Sequence, residues 1–213
     1  MKNITILDYD CGNLFSIVEA FKYWGYNVNV SNENNIITNA DYLVLPGVGS
    51  FPDAMNNLRK KGLDESVKDF VFKGRPLLGI CLGHQLLLDA SEEFGETFGL
   101  GLVKGKSKKF PTQNLDEIRY KIPQIQWNKV LKLSGVDWDG TPLNHTENGE
   151  YFFFVHSYFT EVYDKDNILA ETEYGNIKYT SAIKKDNIFS FQFHPEKSGL
   201  NGLKLFDSWV KTQ

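Results

Sequence analysis

Through the first 90 residues of this chain, short apolar strands keep alternating with segments of helical spacing. Ile4-Thr5-Ile6-Leu7 reads as a buried strand, and Leu14, Ile17, Val18 and Phe21 follow at helical spacing before Gly25 stops them. Val28 and Val30 mark a second strand. Tyr42-Leu43-Val44-Leu45 is a third, ending in the loop Pro46-Gly47-Val48-Gly49. Ala54, Met55 and Leu58 share a helical face, as do Leu63, Val67, Phe70 and Val71, ahead of a fourth strand, Pro76-Leu77-Leu78-Gly79-Ile80. Strands this short and apolar, joined by helical crossovers, predict a parallel sheet covered on both faces. Such sheets bind ligands at the carboxyl ends of their strands, so chemistry is expected just after strands.

Beyond about residue 95 the rhythm changes. Residues 151–155 and 188–193 are strand-like with no helix between them, which predicts hairpins. The polar, Gly/Asn/Asp-rich tract 131–150 reads as a surface loop with a turn, and Leu203, Phe206, Trp209 and Val210 mark a final helix. No repeat or linker interrupts the 213 residues, 41% of them hydrophobic. The expectation is a single α/β domain over residues 1–213, with a mostly parallel central sheet flanked by helices and antiparallel hairpins in the C-terminal half.

Charge and composition exclude several classes of function. A net charge of -4, with no Lys/Arg cluster interleaved with aromatics, leaves no footprint for nucleic acid. No stretch approaches the roughly eighteen apolar residues of a membrane span, and the chain enters its first strand without an apolar signal region, so a cytoplasmic protein is expected. Two cysteines, Cys11 and Cys81, are too few for a disulfide framework or a four-thiolate zinc site. Free thiols, no metal and no cofactor are therefore expected.

Gly79-Ile80-Cys81-Leu82-Gly83 closes the fourth strand as a nucleophile elbow, a sharp turn that aims its central side chain outward. A helix over 82–90 would place its N-terminal partial charge beside the sulfur and favour thiolate. A free cysteine is most often a small buried hydrophobe. The flanking glycines, each costing about 0.5 to 1 kcal/mol in regular structure, are better explained by function. A thiol hydrolase also needs a proton shuttle, for which His84, His145, His156 and His194 are available. His145 falls in the polar tract, His156 ends an apolar strand where a hydrogen-bonded core role is as natural, and His84 lies on the elbow's own helix. His194 ends a strand, and two residues on, Glu196 returns to the same face of an extended backbone, where it can orient the imidazole. Pro46-Gly47-Val48-Gly49 can offer backbone N–H groups to an oxyanion, or be a plain turn; a phosphate loop lacks its lysine and full glycine pattern here.

Taken together, Leu45-Pro46-Gly47-Val48-Gly49, Gly79-Ile80-Cys81-Leu82-Gly83-His84-Gln85 and Phe193-His194-Pro195-Glu196 resemble, in order and spacing, the class I glutamine amidotransferases. Asp8-Tyr9 with Gly12-Asn13, Ile122-Pro123-Gln124 with Trp127-Asn128, and Val155-His156-Ser157-Tyr158 are similar to the branch that forms the glutaminase subunit of imidazole glycerol phosphate synthase, over nearly the whole chain. That resemblance implies a reaction in which Cys81 attacks the glutamine side-chain amide, His194 protonates departing ammonia, and water hydrolyses the glutamyl thioester. It implies that Leu82 and Gly47-Val48-Gly49 make oxyanion and substrate contacts, and that Gln85 and the His156-Ser157-Tyr158 backbone hold the amino-acid end. The implied partner is a (β/α)8 barrel synthase subunit that docks near Asn13, Trp127 and Lys197, wakes a nearly inactive glutaminase and takes ammonia through an internal channel. Asp10-Cys11 and Gln126 stand where that branch usually has glycine, and His84 where it usually has methionine. These departures keep open a paralogue feeding a sugar amidotransferase for amidinated surface polysaccharide. His84 also fits the anthranilate and carbamoyl phosphate branches, and a non-catalytic regulatory subunit is a further alternative.

Overall fold

A computed structural model of the chain describes residues 2–111 and 121–213. Its first half is the expected run of βα units: β1 (Asn3–Leu7), α1 (Leu14–Tyr23), β2 (Asn27–Ser31), α2 (Asn34–Thr38), β3 (Tyr42–Leu45), α3 (Phe51–Lys60), α4 (Leu63–Phe72), β4 (Leu77–Ile80) and α5 (Leu82–Leu86). The strands lie parallel in the order β2-β1-β3-β4. Side chains alternate along a strand, so an all-apolar strand feeds two cores at once. Ile4, Ile6, Val44, Leu78 and Ile80 join Phe21 and Trp209 on one face. Leu7, Leu43, Leu45 and Leu77 join Met55, Leu58, Val67 and Phe70 on the other. The five-residue α2 shows no periodicity that could have announced it.

The second half holds β5 (Ala90–Ser91), β6 (Thr97–Phe98), β7 (Gly105–Lys109), β8 (Gln124–Val130), β9 (Glu150–His156), β10 (Tyr158–Val162), β11 (Ile168–Tyr174), β12 (Ile177–Lys185), β13 (Ile188–Phe191) and α6 (Gly199–Lys211). Strand β13 joins the two halves, running parallel to β4 on one edge and antiparallel to β12 on the other. The sheet then continues antiparallel through β12, β10 and β7, with β11 pairing β12, while β8 and β9 form a separate two-stranded ribbon. The carboxyl ends of β3, β4 and β13 therefore fall side by side, and each leads into one of the motifs singled out above.

Three expectations need correction. The helix after the elbow ends at Leu86 rather than Ala90, because the carbonyls of Leu86, Leu87 and Leu88 turn to the N–H groups of Leu100, Leu102, Val103 and Gly101. The tract 131–150 is not simply a surface loop: Trp138, Thr141 and Leu143 are buried in it, and the Trp138 indole donates to Leu169 O at 2.8 Å. Glu196 does not follow His194 along an extended strand, since Pro195–Lys197 forms a single 3-10 turn. Among the described residues, no helix is long and apolar enough to cross a membrane, and no three metal-binding side chains cluster.

Candidate active site

Where β4 ends, Cys81 takes φ 54° and ψ −107°, a conformation that side chains other than glycine avoid at a cost of about 1 to 3 kcal/mol. Its surroundings leave the backbone little choice. Cys81 N–H donates to Phe191 O of β13 at 2.8 Å, and Cys81 O accepts from His84 N at 3.0 Å and Gln85 N at 3.3 Å. Packing crowds Gly79 and leaves no room for a side chain at Gly83. A Cβ on Gly79 would lie 3.0 Å from Ser190 Cβ, and one on Gly83 would be driven into the carbonyl of Leu45. The elbow helix thus rides directly on the end of β3.

The Cys81 thiol donates to Val155 O at 3.9 Å and faces the same cavity as His194. The His194 ring and the Glu196 carboxylate are almost wholly buried, and Nδ1 donates to Glu196 Oε1 at 2.7 Å. With Nδ1 so engaged, Nε2 is the nitrogen left for proton transfer, and it has no hydrogen-bond partner among the described residues. Burial opposes a charge on this ring, but the Cys81 sulfur and the Glu196 carboxylate outweigh it and raise the His194 pKa to about 10. The turn carrying the base is clamped to the ribbon. His194 N donates to Phe153 O at 2.9 Å, Phe153 N to Ser198 Oγ at 2.9 Å, and Ser198 Oγ to His194 O at 2.6 Å.

The cavity measures about 360 Å³, within the range of small-molecule sites. It brings together Val48, Gly49, Cys81, Leu82, Gln85, His156, Ser157, Tyr158, His194 and Lys197. Gly47 is buried, Glu196 lies behind the imidazole, and Asn13 and Trp127 are exposed on the surface. Leu82 N–H, expected to face an oxyanion, donates instead to Gly47 O at 3.4 Å, so a protein carbonyl occupies its place. Glu93 also lines the cavity and escaped the sequence reading. Its carboxylate accepts from Phe51 N–H at 2.7 Å, and burial raises its pKa. It sits between the two-residue strands β5 and β6, which are too short to leave a pattern.

The remaining histidines separate by environment. His145 is exposed. His156 donates from Nδ1 to Tyr158 O at 2.7 Å. His84 is sealed between Ser190 Oγ at 2.7 Å and Thr160 Oγ1 at 2.9 Å. Because Thr160 gives its own hydrogen to Thr180 O, it can only accept from His84, which fixes the proton on Nε2. Burial lowers the His84 pKa to about 3 and the His156 pKa to about 4. An unfolded histidine titrates near 6.5, so below that pH the unfolded chain takes up two protons that the fold refuses, and stability is lost as pH falls toward 4. Urea unfolding should show a loss of about 5 kcal/mol between pH 7 and pH 4.5 from this pair, of which His84→Met removes roughly half. An unchanged acid slope in His84→Met would refute the assignment.

The chain matches the family described as "Glutamine amidotransferase class-I" over residues 5–210. It is 45% identical over 206 residues to the imidazole glycerol phosphate synthase subunit HisH of Caldanaerobacter subterraneus subsp. tengcongensis, covering 97% of this chain and 96% of the relative. To the subunit of the same name from Sulfurimonas denitrificans it is 42% identical, covering 98% and 97%. Among solved structures, PurLQS from Thermotoga maritima shares the fold with a TM-score of 0.75 at 18% identity, covering 99% of this chain and 98% of the other. A glutamine amidotransferase from the same organism does so at a TM-score of 0.62 and 14% identity, covering 99% and 81%. With motifs, fold and near-complete coverage by relatives agreeing, the chain belongs to the class I glutamine amidotransferases, in their HisH branch.

Proposed function

We propose that residues 1–213 act as one glutamine amidotransferase domain, the cytoplasmic glutaminase subunit of imidazole glycerol phosphate synthase in histidine biosynthesis. It hydrolyses glutamine to glutamate and ammonia and passes the ammonia to a (β/α)8 barrel synthase subunit, its heterodimer partner. The observation that carries this reading is the shared cavity of Cys81 and His194, with Glu196 fixing the imidazole from behind.

The chemistry follows from that placement. The Cys81 sulfur attacks the side-chain carbonyl carbon of glutamine while His194 Nε2 holds the thiol's proton. That proton passes to the amide nitrogen as the C–N bond breaks, leaving a thioester and ammonia. Water then attacks the thioester, giving its proton through His194 to the departing sulfur, and glutamate leaves. Gln85, the 156–158 backbone and the Glu93 carboxylate hold the amino-acid end, Glu93 facing its ammonium group.

Gly47 O holds Leu82 N–H, which on this reading keeps that donor from an oxyanion. Turning the Gly47–Val48 peptide over frees that N–H and brings the Val48 N–H beside it. The loop suits such a motion: Val48 is exposed, and Gly49 at φ 102° adopts a conformation open to glycine. This supports a glutaminase at rest until its partner docks. The docking face takes in Asn13, Trp127 and Lys197, all exposed, with Ile125 and Tyr151 adding apolar area on the ribbon.

The test is glutamate release from glutamine by the chain alone and with candidate synthase subunits. Stimulation of at least about a hundredfold is expected with the histidine-pathway barrel, since restoring an oxyanion donor is worth roughly 10²–10³ in rate. Stimulation only by a sugar amidotransferase partner would sink the histidine-pathway assignment.

A further inference from the structure

Gln192 follows β13 directly and is fully buried, yet the mechanism above does not use it. Its amide lies between the nucleophile and the substrate-holding backbone. Nε2 is 3.9 Å from Cys81 Sγ, and Oε1 is 2.9 Å from Gln85 Nε2. Which end of a glutamine amide faces which neighbour has to be argued from hydrogen bonding. Here the neighbours decide it. Tyr158 O is a backbone carbonyl and can only accept, so Gln85 must turn its NH2 toward it, at 2.9 Å. The second hydrogen on that nitrogen needs an acceptor, so Gln192 meets it with Oε1. The NH2 of Gln192 is left pointing at the sulfur.

These two contacts of the sulfur favour opposite protonation states. Val155 O can only accept, so it engages the thiol in its protonated form. The Gln192 amide donates, so it engages the anion, and such charge-assisted bonds are about twice as strong as neutral ones. We propose that Gln192 is a positioning residue for the nucleophile, its side-chain amide donating to the Cys81 sulfur in a polarity imposed by Tyr158 O through Gln85. The proposal rests on the glutaminase reading and deepens it: the residue that faces the substrate's amino-acid end, Gln85, and the attacking atom share one buried partner.

The test is the rate of carboxamidomethylation of Cys81 by iodoacetamide against pH, followed by mass spectrometry so that Cys11 is read separately. Gln192→Met keeps the shape and removes the donor. Gln192→Glu keeps an acceptor for Gln85 but turns a carboxylate toward the sulfur. In Gln192→Met the pH of half-maximal alkylation should rise by about one unit, and in Gln192→Glu it should rise further. A role confined to packing would lower the melting temperature and leave the pH profile where it was; that result in folded Gln192→Met overturns the proposal. Where the variants fail to fold, the side-chain amide signals of Gln192 in the unsubstituted protein serve instead. They should titrate with the same midpoint as alkylation, and signals that stay constant through that midpoint overturn it. Alkylation needs neither glutamine nor a partner. A shifted profile with no glutamate release under any partner would remove the glutaminase reading and leave this contact standing.

Discussion

Cys81→Ala leaves the chain folded and lowers glutamine turnover by the partner-activated complex roughly 10³- to 10⁶-fold, read as glutamate release. The fold should tolerate the change because alanine meets the same backbone strain at φ 54° and loses only two long sulfur contacts. Turnover cannot tolerate it, since the change removes the thiol that shares the cavity with His194. The second cysteine does not substitute: Cys11 is held by Asn57 Nδ2 at 3.4 Å, and burial raises its pKa. A glutamine-mimicking electrophile should accordingly label Cys81 and spare Cys11. Glutamate release by Cys81→Ala within about tenfold of the unsubstituted complex would end the nucleophile assignment.

Gly83→Ala should be the most damaging single-methyl change in the elbow. Helix propensity alone predicts a gain of about 1 kcal/mol, because Gly83 lies within α5. Packing argues the other way and wins. The added carbon would overlap Leu45 O, lie 2.8 Å from Leu45 C and 3.2 Å from Pro46 O, all of it main chain at the end of a central strand. Overpacking against atoms that cannot rotate away costs about 1 to 3 kcal/mol and often more. A net loss above about 2 kcal/mol in urea unfolding is expected, with turnover falling further than stability because the elbow lifts off β3. Gly74 offers the control: it has φ 74° but open space around it, so Gly74→Ala should cost only the backbone term, about 1 to 2 kcal/mol. Equal losses at the two positions would show that crowding is not what demands glycine at 83.

Much of the parallel half of the fold was legible because β3 and β4 are almost wholly apolar and α1, α3 and α4 carry clean stripes, whereas β2 alternates Val with Asn and the short α2 left no stripe. The positions of Cys81 and His194 were legible for a related reason, since both stand where parallel strands end. Other features escaped for identifiable causes. Strands β5 and β6 are two residues long, so Glu93 between them had no periodic context. The end of α5 is set by hydrogen bonds to residues 100–103, well beyond the reach of local propensity. Trp138 and Leu143 sit in a polar tract whose average composition concealed two anchors. Gln192 read as one more alternating residue of a strand, because its partners, Gln85 and Cys81, lie more than a hundred positions earlier.

The ribbon of β8 and β9 has a mechanical meaning. Phe153 is the residue of β9 paired with Trp127 of β8, and it is also the residue whose N–H and C=O are both tied to the turn bearing the base. The turn that carries His194 is therefore tied to the ribbon, while the sulfur is anchored to the main sheet by the Cys81 N–H bond to Phe191 O of β13. Two separate supports thus meet at one cavity, the central sheet beneath the thiol and the ribbon beneath the imidazole.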